Sequence, residues 1–368
     1  MNSRKPKENM IHPIVMAGGR GERFWPYSNA EHPKQLLPLV TKKTMLEDTI
    51  ENLRKFKKGV KVRLIIGKNL EKPIKKLVGK NPGIEVVAEP MGRNTAAAVA
   101  LAARLISRVD PKGVMLVLTA DHAITPPQKF AQAMRAAAKI AEEGNALVTF
   151  GIKPDRPEVG FGYIEVGESN ADVEGLANYG VKGFVEKPNA AKAQEYLDSG
   201  KFFWNSGMFA WRVDYLWEQF RKHQPKIAQV FEAAGDLNPK SPSFAKKLQK
   251  IYKTVPEISI DNGIMELADS IKVVVPEFSW DDIGSWSALE RLHKTDARGN
   301  RSVGSTISLE AEGNTLFAES GMIAAFGVKD LLIVQTGGVT LVLPKNQAAR
   351  LKEIVKLVQK EKKLAKYV

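Results

Sequence analysis

Residues 14–16, Ile-Val-Met, form a short apolar run, and the chain then enters Ala17-Gly18-Gly19-Arg20-Gly21. Such a run reads as a buried strand. The glycines after it let the backbone bend sharply and turn its N–H groups outward. Arg23 and Lys34 follow as two cations. A strand that ends in a glycine loop beside fixed positive charge is a phosphate cradle. It is neither of the common ones. There is no Gly-Lys-Ser/Thr, and the third glycine of the dinucleotide fingerprint is replaced by Arg23 or Phe24. Phe24 and Trp25 read as packing residues.

The pattern around this loop points to one fold class. Apolar runs at 14–16, 62–66, 84–88, 114–118 and 146–151 alternate with helical segments. Thr44-Met45-Leu46-Glu47 is a capping box, with Ile50 and Leu53 on one face of the helix it opens. Residues 95–106 and 128–141 are Ala-rich helices. This alternation predicts an α/β fold with a Rossmann-like, doubly wound, mixed or parallel sheet. Further strands are expected at 162–166, 183–185, 207–211 and 271–275, and helices at 190–197 and 213–223. Near 295–300 the pattern changes to short apolar pieces between Gly and Asn turns, which reads as a small β module. A basic amphipathic helix at 348–364 closes the chain. The division is a catalytic domain at 1–295 and a β module plus helix at 296–368.

Composition removes several function classes. With 368 residues and 43% hydrophobic content the chain can bury a full core. It has no cysteine, which excludes disulfides and thiol catalysis and fits a reducing compartment. The first ten residues lack an apolar signal segment, and no uncharged run is long enough to span a bilayer. A cytoplasmic protein without membrane attachment is expected. The net charge of +14 is scattered over lysine-rich faces, without zinc-finger spacing or an aromatic RNP motif, so no nucleic-acid partner is expected.

Two carboxylates stand in suggestive places. Asp121 ends a predicted central strand, the edge at which open α/β sheets bind ligands, and a lone carboxylate beside phosphates suits Mg²⁺. The competing reading is a turn cap before Pro126, and the segment alone leaves both open. Asp282 would by itself be read as capping a helix that starts near Ser285.

Gly-Gly-x-Gly-x-Arg-x-Trp-Pro-x-Ser at 18–28, followed by Pro33-Lys34-Gln35, resembles the signature of mannose-1-phosphate guanylyltransferases, a branch of the sugar-nucleotide pyrophosphorylases. Four more segments resemble motifs of that family: Glu89-Pro90-Met91-Gly92-Arg93-Asn94, Ala120-Asp121-His122, Trp280-Asp281-Asp282-Ile283-Gly284-Ser285-Trp286, and the set Gly162, Glu186-Lys187-Pro188 and Asn205-Ser206-Gly207. Glu22 departs from the Thr usual in relatives, and Gln335-Thr336-Gly337-Gly338 replaces a more acidic stretch.

The resemblance implies GTP and α-D-mannose 1-phosphate as substrates, GDP-mannose and pyrophosphate as products, and a C-terminal module like a left-handed β-helix. It implies a nucleotide site at Ala17, Gly18, Gly19, Gly21, Glu89, Pro90, Gly92 and Asn94, where Asn94 alternatively caps a helix. Arg23 and Lys34 would carry catalysis, and both are expected to be partly exposed. Gly162, Glu186, Lys187 and Asn205 would hold the sugar phosphate. Asp121 and Asp282 would hold Mg²⁺, while the adjacent Asp281 would point elsewhere and be dispensable. His122 is expected to be structural. The chain is too short for the isomerase domain of the family's fused form, so a monofunctional enzyme is expected, with room for a homodimer. The alternatives are a same-fold pyrophosphorylase for another nucleotide or hexose, or a non-catalytic sugar-nucleotide-binding subunit.

Overall fold

The computed structural model describes residues 10–19, 21–29 and 32–368. The first nine residues, Arg20 in the glycine loop and the Glu22 side chain lie outside the described residues, as do the expectations that fell on them.

Strand and helix alternate from the start. β1 (Ile11–Ala17), α1 (Met45–Phe56), β2 (Val62–Gly67), α2 (Glu71–Val78), β3 (Ile84–Glu89) and α3 (Asn94–Ser107) come first. β4 (Val114–Thr119), β5 (Ala123–Thr125), α4 (Pro127–Glu142) and β6 (Leu147–Ile152) follow. The middle of the chain adds β7 (Tyr163–Ser169), β8 (Asn178–Val185), α5 (Ala190–Ser199) and β9 (Phe202–Arg212). Then come α6 (Val213–His223), α7 (Pro225–Ala233), α8 (Phe244–Thr254), β10 (Ile271–Val274), β11 (Ser279–Asp281) and α9 (Trp286–Leu292).

Local chemistry sets these boundaries. At the start of α1 the Thr44 hydroxyl accepts from the Glu47 N–H at 3.2 Å, and the Glu47 carboxylate accepts from the Thr44 N–H at 2.9 Å. That reciprocal pair satisfies two N–H groups the helix would leave open. Small alanines with Val99 and Leu101 let the middle of α3, residues 96–103, lie buried between the sheet and α6 and α7. Asn94 opens the helix in the left-handed region at φ 58°, and its Oδ1 accepts from the Thr95 N–H at 2.8 Å, which satisfies one open N–H group at that end.

Among the described residues nine of these strands form one sheet in the order β3–β2–β1–β4–β9–β6–β10–β8–β7, and β5 and β11 pair antiparallel as a separate two-stranded sheet. The β3–β2–β1–β4 portion is parallel, and β9 runs antiparallel to both β4 and β6. The sheet is therefore mixed. β7 and β8 join as an antiparallel pair without a helical crossover, so the chain returns through β9 in the opposite sense. Alternate residues of β1 feed opposite cores. Ile14 packs with α3 and α6–α8, and Val15 and Ala17 pack with α1 and α4. The C-terminal ends of β1 and β4 thereby meet above two filled layers, and the glycine loop and Asp121 emerge there.

β12 (Arg301–Val303), β13 (Thr306–Leu309), β14 (Thr315–Ala318), β15 (Ile323–Phe326), β16 (Leu331–Thr336) and β17 (Val339–Pro344) build the C-terminal module. β12, β14 and β16 stack in parallel, β13 and β15 form a second parallel ladder, and β17 closes antiparallel on β16. Stacked parallel rungs make the module β-helix-like. Buried Asn300 and Asn314 tie successive rungs: the Asn314 amide donates to Asn300 Oδ1 at 3.0 Å and to the Val328 carbonyl at 2.9 Å. The closing helix, α10 (Leu351–Lys360), is shorter than expected and follows a 3₁₀ turn at Lys345–Arg350.

Candidate active site

The loop after β1 closes on itself through Gly21. Its φ is 67°, and an added Cβ would sit 2.7 Å from Lys34 Cβ and 2.8 Å from the Lys34 nitrogen. Only glycine allows both the turn and that approach. Lys34 is only 6% exposed. Its ammonium donates to Asp121 Oδ2 at 2.9 Å and to the Asp282 carbonyl at 2.7 Å. One buried cation thus draws together the end of β4 and a loop more than 150 residues further along (~160 by position). The expectation that Lys34 is partly exposed is corrected here, because bridging two carboxyl-bearing loops takes its head out of water. Arg23 is exposed, as expected.

A cavity of about 380 Å³ is lined by Gly21, Arg23, Lys34, Asp121, His122, Asp282, Gly284 and Lys352. Burial by itself raises the Asp121 carboxyl, but the Lys34 ammonium, through its charge and its hydrogen bond, pulls the other way, and Asp121 ends below its ordinary value. Asp282 is raised, first by burial, with added repulsion from Asp281 and Asp121 that Lys34 only partly offsets. Two carboxylates that repel each other in a shared hollow form a donor set suited to a hard cation completed by phosphate oxygens. Asp282 Oδ1 accepts from the Gly284 N–H at 3.0 Å; the N-cap of α9 is Ser285, so Asp282 does not cap that helix. Among the described residues no cluster of three or more His, Cys, Asp or Glu side chains could hold a metal alone.

Asp281 turns away from this hollow into the protein. It accepts from Arg291 Nη2 at 2.9 Å and from the Ile283 N–H at 2.8 Å. Ile283 is a buried, β-branched residue at φ 46°, a strained conformation held by this bond and by the surrounding core. Asp281 thus points elsewhere than Asp282, and it anchors the turn that carries Asp282. His122 is half-buried, takes a hydrogen bond from Trp280 Nε1 at 3.1 Å, and is lowered by desolvation to about 4, so it is neutral.

A second cavity, of about 900 Å³, adjoins the first at Asp121. It contains Ala17, Gly18, Gly19, Glu89, Pro90, Gly92 and Asn94, which the structure brings together from β1, β3 and the start of α3. Glu89 lies at its floor, 8% exposed, accepting from the Tyr252 hydroxyl at 2.9 Å. Burial pushes its carboxyl up to about 7 even though that bond pulls the other way. Arg93 also lines this cavity, with its Nε donating to the Tyr252 carbonyl at 2.8 Å. Gln35, 3% exposed, sits under Gly19, and among the described residues its Oε1 has no hydrogen-bond partner.

The third group gathers around Gly162. A Cβ there would lie 3.0 Å from Glu186 Oε2 and 3.7 Å from Asn205 Cβ, so Gly162, Glu186 and Asn205 share one wall. Lys187 pairs with Glu186 at 2.6 Å at the surface. None of these four residues lines the cavity around Asp121. Two residues here were not singled out from sequence. Asp261 accepts from the Asn205 amide at 2.8 Å and begins a π-helical turn (Asp261–Met265), a feature frequent at functional sites. Tyr252, on the buried face of α8, supplies the Glu89 contact. Neither carries a local signal, since their roles come from long-range packing.

Known proteins share the sequence pattern and fold of this chain. Residues 12–299 match the nucleotidyl transferase family model, and 304–358 match the mannose-phosphate isomerase/GMP-like β-helix domain. A mannose-1-phosphate guanylyltransferase of Escherichia coli is 38% identical over 361 residues, covering 96% of this chain and 74% of the relative. The xanthan biosynthesis protein XanB of Xanthomonas campestris is 36% identical, covering 95% of this chain and 73% of its own. A solved structure from Thermus thermophilus, described as a mannose-1-phosphate geranyltransferase, superposes with a TM-score of 0.84 at 35% identity, covering 95% of this chain and 99% of that one.

Proposed function

We propose, for a chain that belongs to the nucleotidyl transferase family and within it to the mannose-1-phosphate guanylyltransferases, that this site joins GTP and α-D-mannose 1-phosphate into GDP-mannose and releases pyrophosphate. The observation that carries the reading is the junction of the two cavities at Asp121, beside the buried Lys34.

The nucleoside lies in the larger cavity. The Glu89 carboxylate accepts from guanine N1–H and N2–H₂, donors that adenine does not present in the same place. Gly18, Gly19 and Gly21 bring backbone close to the triphosphate, and Arg23 faces it from the exposed side. Lys34 holds Asp121 and the Asp282 loop at a fixed spacing. Gly162, Glu186 and Asn205 orient the hexose hydroxyls, Asp261 braces Asn205, and Lys187 leaves Glu186 to meet the sugar phosphate. The phosphate oxygen of the sugar attacks the α-phosphorus in line, its P–O bond forms as the α–β bridge breaks, and the electron pair leaves on pyrophosphate. Such transfers need position and charge stabilisation more than a protein nucleophile. Family members use a divalent metal; Asp121 and Asp282 would hold it, as Mg²⁺, and it would supply charge neutralisation at the reacting phosphates. A cysteine-free chain that consumes GTP fits the cytoplasm.

Release of pyrophosphate measured across four nucleoside triphosphates and several hexose 1-phosphates tests the assignment. GTP with mannose 1-phosphate should be the best pair. Preference for UTP, dTTP or ATP would refute the base assignment, and preference for another hexose would refute the sugar assignment.

A further inference from the structure

The C-terminal helix belongs to the site. Leu351 and Val355 of α10 are buried in one core with Phe24 and Trp25 of the glycine loop. The Trp25 indole donates to the Tyr367 carbonyl at 2.8 Å, so the segment after α10 is tied to the same loop. Lys352, Val355 and Gln359 are spaced i, i+3 and i+7 and therefore share a helix face. Lys352 lines the smaller cavity with Arg23, Lys34, Asp121 and Asp282, while Val355 and Gln359 line the larger one. A single helix face thus runs along the nucleotide path from its nucleoside end to its phosphate end.

Charge separates Lys352 from the cations around it. Lys34 is committed to Asp121 and the Asp282 carbonyl. Among the described residues Lys352 has no ion-pair or hydrogen-bond partner, and its side chain is exposed toward the cavity. The phosphates of a nucleotide seated by Glu89 pass Asp121 into this smaller cavity, and the part beyond the α-phosphate is the leaving pyrophosphate. Gly162, Glu186, Lys187 and Asn205 line neither cavity, which puts Lys352 on the nucleotide side rather than the sugar side.

We infer that Lys352 is a phosphate-binding residue for the β- and γ-phosphates of the nucleotide and for released pyrophosphate, supplied to the nucleotidyl transferase site by the C-terminal helix. This rests on the function proposed above. Lys352→Ala, Lys352→Arg and Lys360→Ala of the full chain are compared in the reverse reaction, with GDP-mannose and pyrophosphate, and by calorimetric titration with pyrophosphate. Lys360 lies on the same helix and lines neither cavity. Lys352→Ala should raise KM for pyrophosphate about tenfold, the lower range for a charge-assisted contact from an exposed side chain. KM for GDP-mannose should stay within about twofold, Lys352→Arg should recover most of the loss, and Lys360→Ala should match wild type. An unchanged KM for pyrophosphate in Lys352→Ala overturns the inference. So does an equal rise in both KM values, which would mean a displaced helix. A wild-type protein without the reverse reaction refutes the proposed function instead, and the pyrophosphate titration of Lys352→Ala still decides the role of Lys352.

Discussion

Two cations in one loop have different duties. Arg23 is exposed and free to meet phosphate, whereas Lys34 is buried and already paired with Asp121. Arg23→Ala should cut kcat by about two to three powers of ten with an unchanged melting temperature, the scale of losing one transition-state stabiliser. Lys34→Ala should lose at least as much turnover and also about 2–3 kcal/mol of stability, because Asp121 is left without its partner. Steady-state kinetics and thermal melts of both variants check this; equal stability of the two would contradict the bridging role. Glu89 makes a pH prediction. Its native value is about 7 against an ordinary 4.5, so between these pH values the native state holds a proton the unfolded chain has lost. Stability therefore falls as pH rises through this window and is constant above it. Glu89→Gln should remove the slope and gain up to about 3 kcal/mol over wild type at pH 7.5, while raising KM for GTP. Denaturant melts between pH 4.5 and 7.5 measure it, and parallel curves for the two proteins would contradict it.

At the level of elements, the turn between β11 and α9 separates two neighbouring aspartates. Asp282 faces the cavity, and Asp281 faces Arg291 and the strained Ile283. Asp121→Asn and Asp282→Asn should each nearly abolish turnover and raise the Mg²⁺ needed for what remains; Asp282→Asn should change the melting temperature little, whereas Asp121→Asn should also lower it by weakening the buried Lys34 pair. Asp281→Asn should instead lose about 2–3 kcal/mol of stability by weakening a buried ion pair while keeping the wild-type Mg²⁺ dependence. Mg²⁺ titrations and melts of the three variants decide it. A dead Asp281→Asn beside an active Asp282→Asn would exchange their assignments. The sequence motif told these two residues apart by alignment alone. It could not show what Asp281 does, because Arg291 comes from the following helix and Ile283 gives no sign of its positive φ. The same holds for Asp261 and Tyr252: short-range periodicity located part of β9 but gave no expectation of α8, and no local pattern says which buried polar group will meet another 56 or 163 residues away.

Across the whole molecule, strand and helix runs were legible because each buries a periodic face. The mixed order of the sheet was not, since it depends on β9 returning antiparallel between β4 and β6. The C-terminal module was legible as short strands and turns. Its closeness to the active site was not, because Phe317, Leu332, Val334 and Leu341 reach the core of Phe24, Trp25, Ile283 and Trp286 only in three dimensions. That shared core supports the glycine loop and the Asp282 turn from one side, so the β module and the catalytic layers act as one scaffold around a single phosphate path. The central claim is that the path ends in attack at the α-phosphorus of GTP. GTP labelled with ³²P at either the α- or the γ-position, incubated with the protein, Mg²⁺ and mannose 1-phosphate, tests it most directly. The α-label should appear in GDP-mannose and the γ-label in pyrophosphate. Transfer of the γ-label to the sugar, or its release as inorganic phosphate from the purified protein, would contradict the account.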